Sequence, residues 1–215
     1  MTDVLPPILV TGQRRQIAAM HFPGRMNSPS GEQPIEVSGE GDPEDPPIYD
    51  RCADPAQQVD WNADAAAAEA LRRFQNSAGD PLLDNRERSM VLIRNPVTGM
   101  VTAENLEVGV PGAGEVPFNV DGFGWANVVG LIHSHPGSRS FPSSADLYNY
   151  PVWQGLVTQA GGSQGLRLYI VGAGNDGPGT PDRLMIRVYN QTNIASGEQG
   201  QAGPEVNQNA LPCNV

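Results

Sequence analysis

Between Asp60 and Tyr189 the period of the apolar residues keeps changing, and the order of those changes limits the fold more than any other feature. Asp60 can cap a helix running through Asn76, with Ala67, Ala70, Leu71 and Phe74 as its apolar stripe and Gly79 as its stop. Two strand-like runs follow, Ser89–Arg94 and Met100–Val108, joined by the turn residues Asn95–Gly99. A Gly/Pro loop leads to a third, fully apolar strand, Asn127–Ile132, which runs into His133 and is expected to end at Pro136. Ser143–Ala160 suits a second helix, closed by Gly161-Gly162, and two more strands, Leu166–Val171 and Arg183–Tyr189, complete the set. The order α-β-β-β-α-β-β predicts a single α/β domain, a mixed β-sheet flanked by helices.

The flanks read differently. Residues 1–58 hold nine of the chain's 20 prolines and are acidic, so they are expected to be a disordered tail or linker ahead of a domain over 59–191. Within that tail Ile8-Leu9-Val10 is the one β-prone run, able to add a strand to a sheet edge. Residues 192–215 are polar and rich in Gln, Asn and Gly, and are expected to be loose.

Charge and composition exclude several function classes. A net charge of -11 is wrong for a nucleic-acid surface, and no apolar stretch approaches the roughly 18–20 residues of a membrane span. All 13 basic residues are arginine; the absence of lysine fits either codon bias or avoidance of the usual ubiquitin-accepting amine. Cys52 and Cys213 form no CxxC or Cys/His cluster, and either pair as a disulfide or stand as two thiols. The first residues lack the pattern of a secretory signal, so the expected location is a bacterial cytoplasm, or outside the cell by a route without one.

Chemistry concentrates in Gly130–Asp146. His133 and His135 are two apart at a strand end, so their imidazoles leave the same face. Seven residues separate His135 from Ser143, and Ser143-Ser-Ala-Asp146 opens the second helix, where it doubles as an N-capping box. Two His and one Asp are the ligand set of a catalytic zinc that keeps a fourth position open. A lone His is more often an ordinary surface or core residue, as His21 in the tail is taken to be. Two of the chain's three histidines in this spacing, however, arise by chance on the order of 10⁻³ or less.

On these residues the chain resembles the JAMM (MPN+) zinc metalloproteases, whose signature is an upstream Glu, His-Ser/Thr-His-Pro and Ser-x-x-Asp. His133-Ser134-His135-Pro136 and Ser143-x-x-Asp146 match every fixed position, and the element order over about 60–190 matches as well. The resemblance implies a cytidine-deaminase-like mixed sheet, one Zn2+ held by His133, His135 and Asp146, and cleavage of a peptide or isopeptide bond, typically beside a ubiquitin-like tail. It also implies a general base, a Glu entering the strand after the first helix. Glu87 lies there; Glu104, Glu107 and Glu115 are the competitors. Ser143 would hydrogen-bond the oxyanion.

The stretch Leu147–Asn190 has no Cys or His, so the structural zinc of eukaryotic deubiquitinating members is not expected. The layout looks most like JAMM domains of bacterial polymorphic toxins and secreted effectors, which implies a protein or peptide substrate and a cognate immunity protein as partner. RadC-like and phage-tail-associated members share the signature. MPN− scaffolds keep the fold without the ligands and are the non-enzyme alternative.

Overall fold

The computed structural model describes residues 52–78, 85–112, 116–174 and 183–213. The Ile8–Val10 run, His21 and Glu115 lie outside these residues.

The first helix, α1 (Pro55–Ala78), starts one and a half turns before the expected Asp60. Asp54-Pro55 explains the difference. Proline's fixed φ suits the first helical position, where its missing N–H is not needed, and the Asp54 carbonyl accepts from the Gln57 and Gln58 amides. The expected stripe is the buried face: Ala67, Ala70, Leu71 and Phe74 are all at most 2% exposed.

β1 (Arg88–Arg94) and β2 (Val101–Val108) form an antiparallel hairpin. β3 (Val128–Arg139), α2 (Ser144–Gln159) and β4 (Arg167–Gly174) make a parallel crossover, and β5 (Arg183–Tyr189) returns antiparallel to β4. The sheet is mixed and five-stranded, in the order β2-β1-β3-β4-β5. Strand alternation sorts its side chains to two cores. Met90, Leu92, Ile132 and Tyr169 pack with α1, while Val91, Leu131, Leu168 and Ile170 pack with Tyr150, Trp153 and Val157 of α2. The expected fold class, a mixed sheet flanked by helices, is what the chain forms. Arg167, at the start of β4, ties α1 to the sheet through Asp60 (2.6 Å) and Asp64 (2.9 Å). No helix among the described residues is long and apolar enough to cross a membrane.

Two expectations are corrected. β3 does not end at Pro136. Its ladder to β1 stops at Ser89↔His133, and its register to β4 jumps from Ser134↔Val171 to Arg139↔Ala173. Pro136 thus sits inside a bulge, where no ladder N–H is required of it.

Nor is the segment after Thr192 loose. It forms a short helix, α3 (Ile194–Glu198), then pairs with the outer edge of β5: the Val188 amide donates to the Pro204 carbonyl and the Val206 amide to the Ile186 carbonyl. Ile194, Val206 and Ala210 are buried, and the segment ends in a disulfide between Cys213 and Cys52, with a Cα–Cα distance of 5.5 Å. A few widely separated anchors, pairing along the β5 edge and one cross-link hold it, in a stretch with few apolar residues to reveal them.

Candidate metal centre

Parity along β3 sets the site. Leu131 faces α2, so His133 and His135, two and four residues on, face the same way. Phe118 stands edge-on to both His133 (5.8 Å between centroids) and Trp153 of α2 (5.1 Å), walling one side of the His133 ring. Ser89 of β1 donates its hydroxyl to the Pro117 carbonyl, which holds the Phe118 loop against the sheet.

The third member comes from the N-terminus of α2. Ser143 caps the helix and Asp146 completes a capping box. The Ser143 hydroxyl accepts from the Asp146 amide at 3.2 Å, while Asp146 Oδ2 accepts from the Ser143 amide and from the Ser143 hydroxyl, each at 2.7 Å. That leaves Asp146 Oδ1 turned to His133 Nε2, 3.2 Å away. His135 Nε2 lies 3.3 Å from Asp146 Oδ2 and 2.8 Å from His133 Nε2. His133 and Asp146 are completely buried and His135 is nearly so.

Three converging donors at these separations fit a metal ion. Around a tetrahedral ion with bonds of about 2.0–2.1 Å, neighbouring ligand atoms lie roughly 3.3–3.4 Å apart. Here His133 Nε2 lies 2.8 Å from His135 Nε2 and 3.2 Å from Asp146 Oδ1, and one ligand atom from each of the three residues lies within 4.8 Å of the other two. Imidazole nitrogens this close must share a proton or a cation. Asp146 Oδ1 is buried with only the His133 imidazole beside it, 3.2 Å away, a placement that favours a cation between them. The His133-His135-Asp146 group can therefore hold a metal ion.

Electrostatics agree with that role. Burial pushes the Asp146 carboxyl up, but the charges and hydrogen bonds of His133 and His135 outweigh it and hold the group well below the ordinary carboxylate range. Asp146 is thus an anionic ligand at neutral pH. Burial pushes His135 down, and the hydrogen bond and charge of Asp146, the charge of Glu87 and a backbone bond at Phe141 reverse the balance, leaving its pKa raised.

Glu87 is brought to the site. Glu87 immediately precedes β1, on the same parity as Ser89, which lies opposite His133, and its charge acts on His135. Of its competitors, Glu107 is two strands from β3 and accepts from Asn119 Nδ2 at 2.9 Å. Glu104 lies opposite Val91 on the edge strand. For Ser143 the structure shows a contact with Asp146. Its hydroxyl donates to Asp146 Oδ2 at 2.7 Å, so it orients the carboxylate of the helix cap.

The residues that support the site were not legible from the motif. Ser89 and Phe118 carry no signal. Ser134 does carry one, since a polar residue between two same-face histidines must itself point to the opposite core. A scan of protein-family models and a search of curated proteins find no match to the chain.

Proposed function

We propose that this chain is a zinc-dependent metallopeptidase of JAMM type that hydrolyses a peptide or isopeptide bond. The single observation that carries the reading is the convergence of His133, His135 and Asp146, with Glu87 close enough for its charge to act on His135. His133, His135 and Asp146 would hold the ion. When bound, zinc polarises the scissile carbonyl as a Lewis acid and makes water acidic enough to lose a proton near pH 7.

The rest is done by the chain's own groups. Glu87 takes a proton from the attacking water at its carboxylate and returns it to the leaving amine nitrogen, so that one water is consumed and an acid and an amine are released. Ser143 fixes the carboxylate of Asp146 through two hydrogen bonds, the kind of outer support that keeps a metal ligand in one orientation. The Phe118–Trp153 pair excludes water from the back of His133. An effector-type role, with a cognate immunity protein, rests on the Pro-rich first 58 residues alone. A scaffold of this fold would have no use for three converging buried ligands, which is why the enzyme reading is preferred.

The test is hydrolysis of lysate protein, followed as released primary amines with the new termini identified by mass spectrometry. The full chain loaded with zinc should generate discrete cleavages, and Glu87→Gln should retain its zinc while losing about 100-fold or more of the rate. Cleavage at the wild-type rate by zinc-loaded Glu87→Gln would move the base to Glu104, Glu107 or Glu115. No cleavage by the zinc-loaded wild type would overturn the peptidase reading.

A further inference from the structure

The peptide unit between Glu87 and Arg88 is gripped at both ends. Its carbonyl, that of Glu87, accepts from the Gly109 amide just past the end of β2. Its N–H, that of Arg88, donates to the hydroxyl of Ser134 at 2.9 Å, in a fully buried bond. This second grip lies one step beyond Ser89↔His133, the last pair of the β1–β3 ladder, so a side chain takes over where regular pairing stops. Ser134 is 1% exposed and sits between the two histidines, on the opposite face of β3. The Arg88 side chain adds a brace from below: its Nε donates to the Ser77 hydroxyl of α1, and its Nη1 donates to the Arg86 carbonyl, spanning Glu87.

Pinning a peptide plane fixes the ψ of the residue before it, and with it the direction in which that residue's Cα–Cβ bond leaves the strand. We infer that Ser134 is a positioning residue for Glu87. Its hydroxyl clamps the Glu87–Arg88 peptide so that the Glu87 carboxylate is aimed at the face bearing His133 and His135. Ser134 acts through the backbone and touches neither the ligand atoms nor a substrate. A misplacement of about 1 Å in a catalytic group can cost on the order of 100-fold in rate, so a clamp at this point is worth at least a tenfold effect. The inference rests on the metallopeptidase reading, and its test separates the two.

The test uses the full chain and two readouts. The first is amide hydrogen exchange, which needs no activity: in Ser134→Ala the Arg88 amide should exchange about tenfold faster or more, while the amides of Leu92 and Ile132 keep their wild-type protection. The second is a double-mutant cycle on amine release from lysate protein by the zinc-loaded forms. Ser134→Ala should lower the rate about tenfold with zinc content unchanged, Ser134→Thr, which keeps the hydroxyl, should restore most of it, and Ser134→Ala should have no further effect in a Glu87→Gln background. Should Ser134→Ala not fold, Ser134→Cys, of similar volume and only a weak acceptor, reads the same quantities. An unchanged Arg88 exchange rate, or the same tenfold loss with Glu87 already replaced, would overturn the assignment while leaving the peptidase reading intact. A zinc-loaded wild type that cleaves nothing would instead remove the reading on which it rests.

Discussion

Asp146→Ala is expected to weaken zinc binding by roughly a thousandfold. Zinc sites with four ligands are worth about 10–16 kcal/mol at neutral pH, so one charged ligand of the set supplies about 3–4 kcal/mol, or two to three decades in affinity. The same substitution strips a buried anion from between two imidazoles and removes half of the capping box of α2. Part of any effect could therefore come from the helix. Asp146→Asn separates the contributions, because its side-chain carbonyl can still accept from the Ser143 amide, which now donates to Oδ2, while the negative charge is lost. Both variants should lose zinc by competition titration against a chelating dye, and Asp146→Asn should keep more of its thermal stability. Zinc affinity within twofold of wild type in Asp146→Ala would remove Asp146 from the ligand set.

The second large effect concerns the disulfide. It joins residues 161 positions apart, and the chain-entropy argument puts its worth at about 5 kcal/mol, with measured native disulfides typically giving about 2–5 kcal/mol. Replacing Cys52 and Cys213 together by alanine should lower the melting temperature by roughly 10 °C, and reductant should do the same to the wild type. Folding should survive. The segment's end is also held by Trp61 Nε1 donating to the Leu211 carbonyl and the Cys213 amide donating to Asn62 Oδ1, each at 2.7 Å. Val206 remains packed in the α1-side core. A wild type whose melting temperature does not respond to reductant, or that titrates two free thiols when native, would contradict the pairing. Such a bond forms and persists in oxidising surroundings, so preparation under reducing conditions should give the less stable form.

What was legible in the sequence followed from short-range rules. Period two puts His133 and His135 on one face of a strand, and the Ser143-x-x-Asp146 spacing puts Asp146 in the first turn of α2, where it is found. Glu87 stands out for its place at the entry of an apolar strand after a helix, and in the structure its charge acts on His135.

What stayed hidden depends on contacts between distant parts of the chain. The polar stretch after Thr192 packs through Ile194, Val206 and Ala210, with no other buried hydrophobic residue in the twelve-residue step from Ile194 to Val206, too sparse for an apolar stripe. α3 also comes close to the site: a Cβ on Gly197 would lie 2.5 Å from the Tyr189 ring and 2.9 Å from Pro142, so only glycine fits. The strand continues past Pro136 because pairing with β4 resumes at Arg139 after a bulge, a contact that the local sequence does not encode. The Ser143–Asp146 hydrogen bonds are not specified by a motif, which names residues and not their contacts.

The most direct measurement of the central claim is the metal content of the purified full chain, by elemental analysis of natively folded protein after gel filtration. The account predicts about one zinc per chain, removed by a chelator and regained on adding zinc, with His133→Ala prepared in parallel carrying little. Folded wild-type protein that holds no zinc, and takes up none when it is supplied, would contradict it.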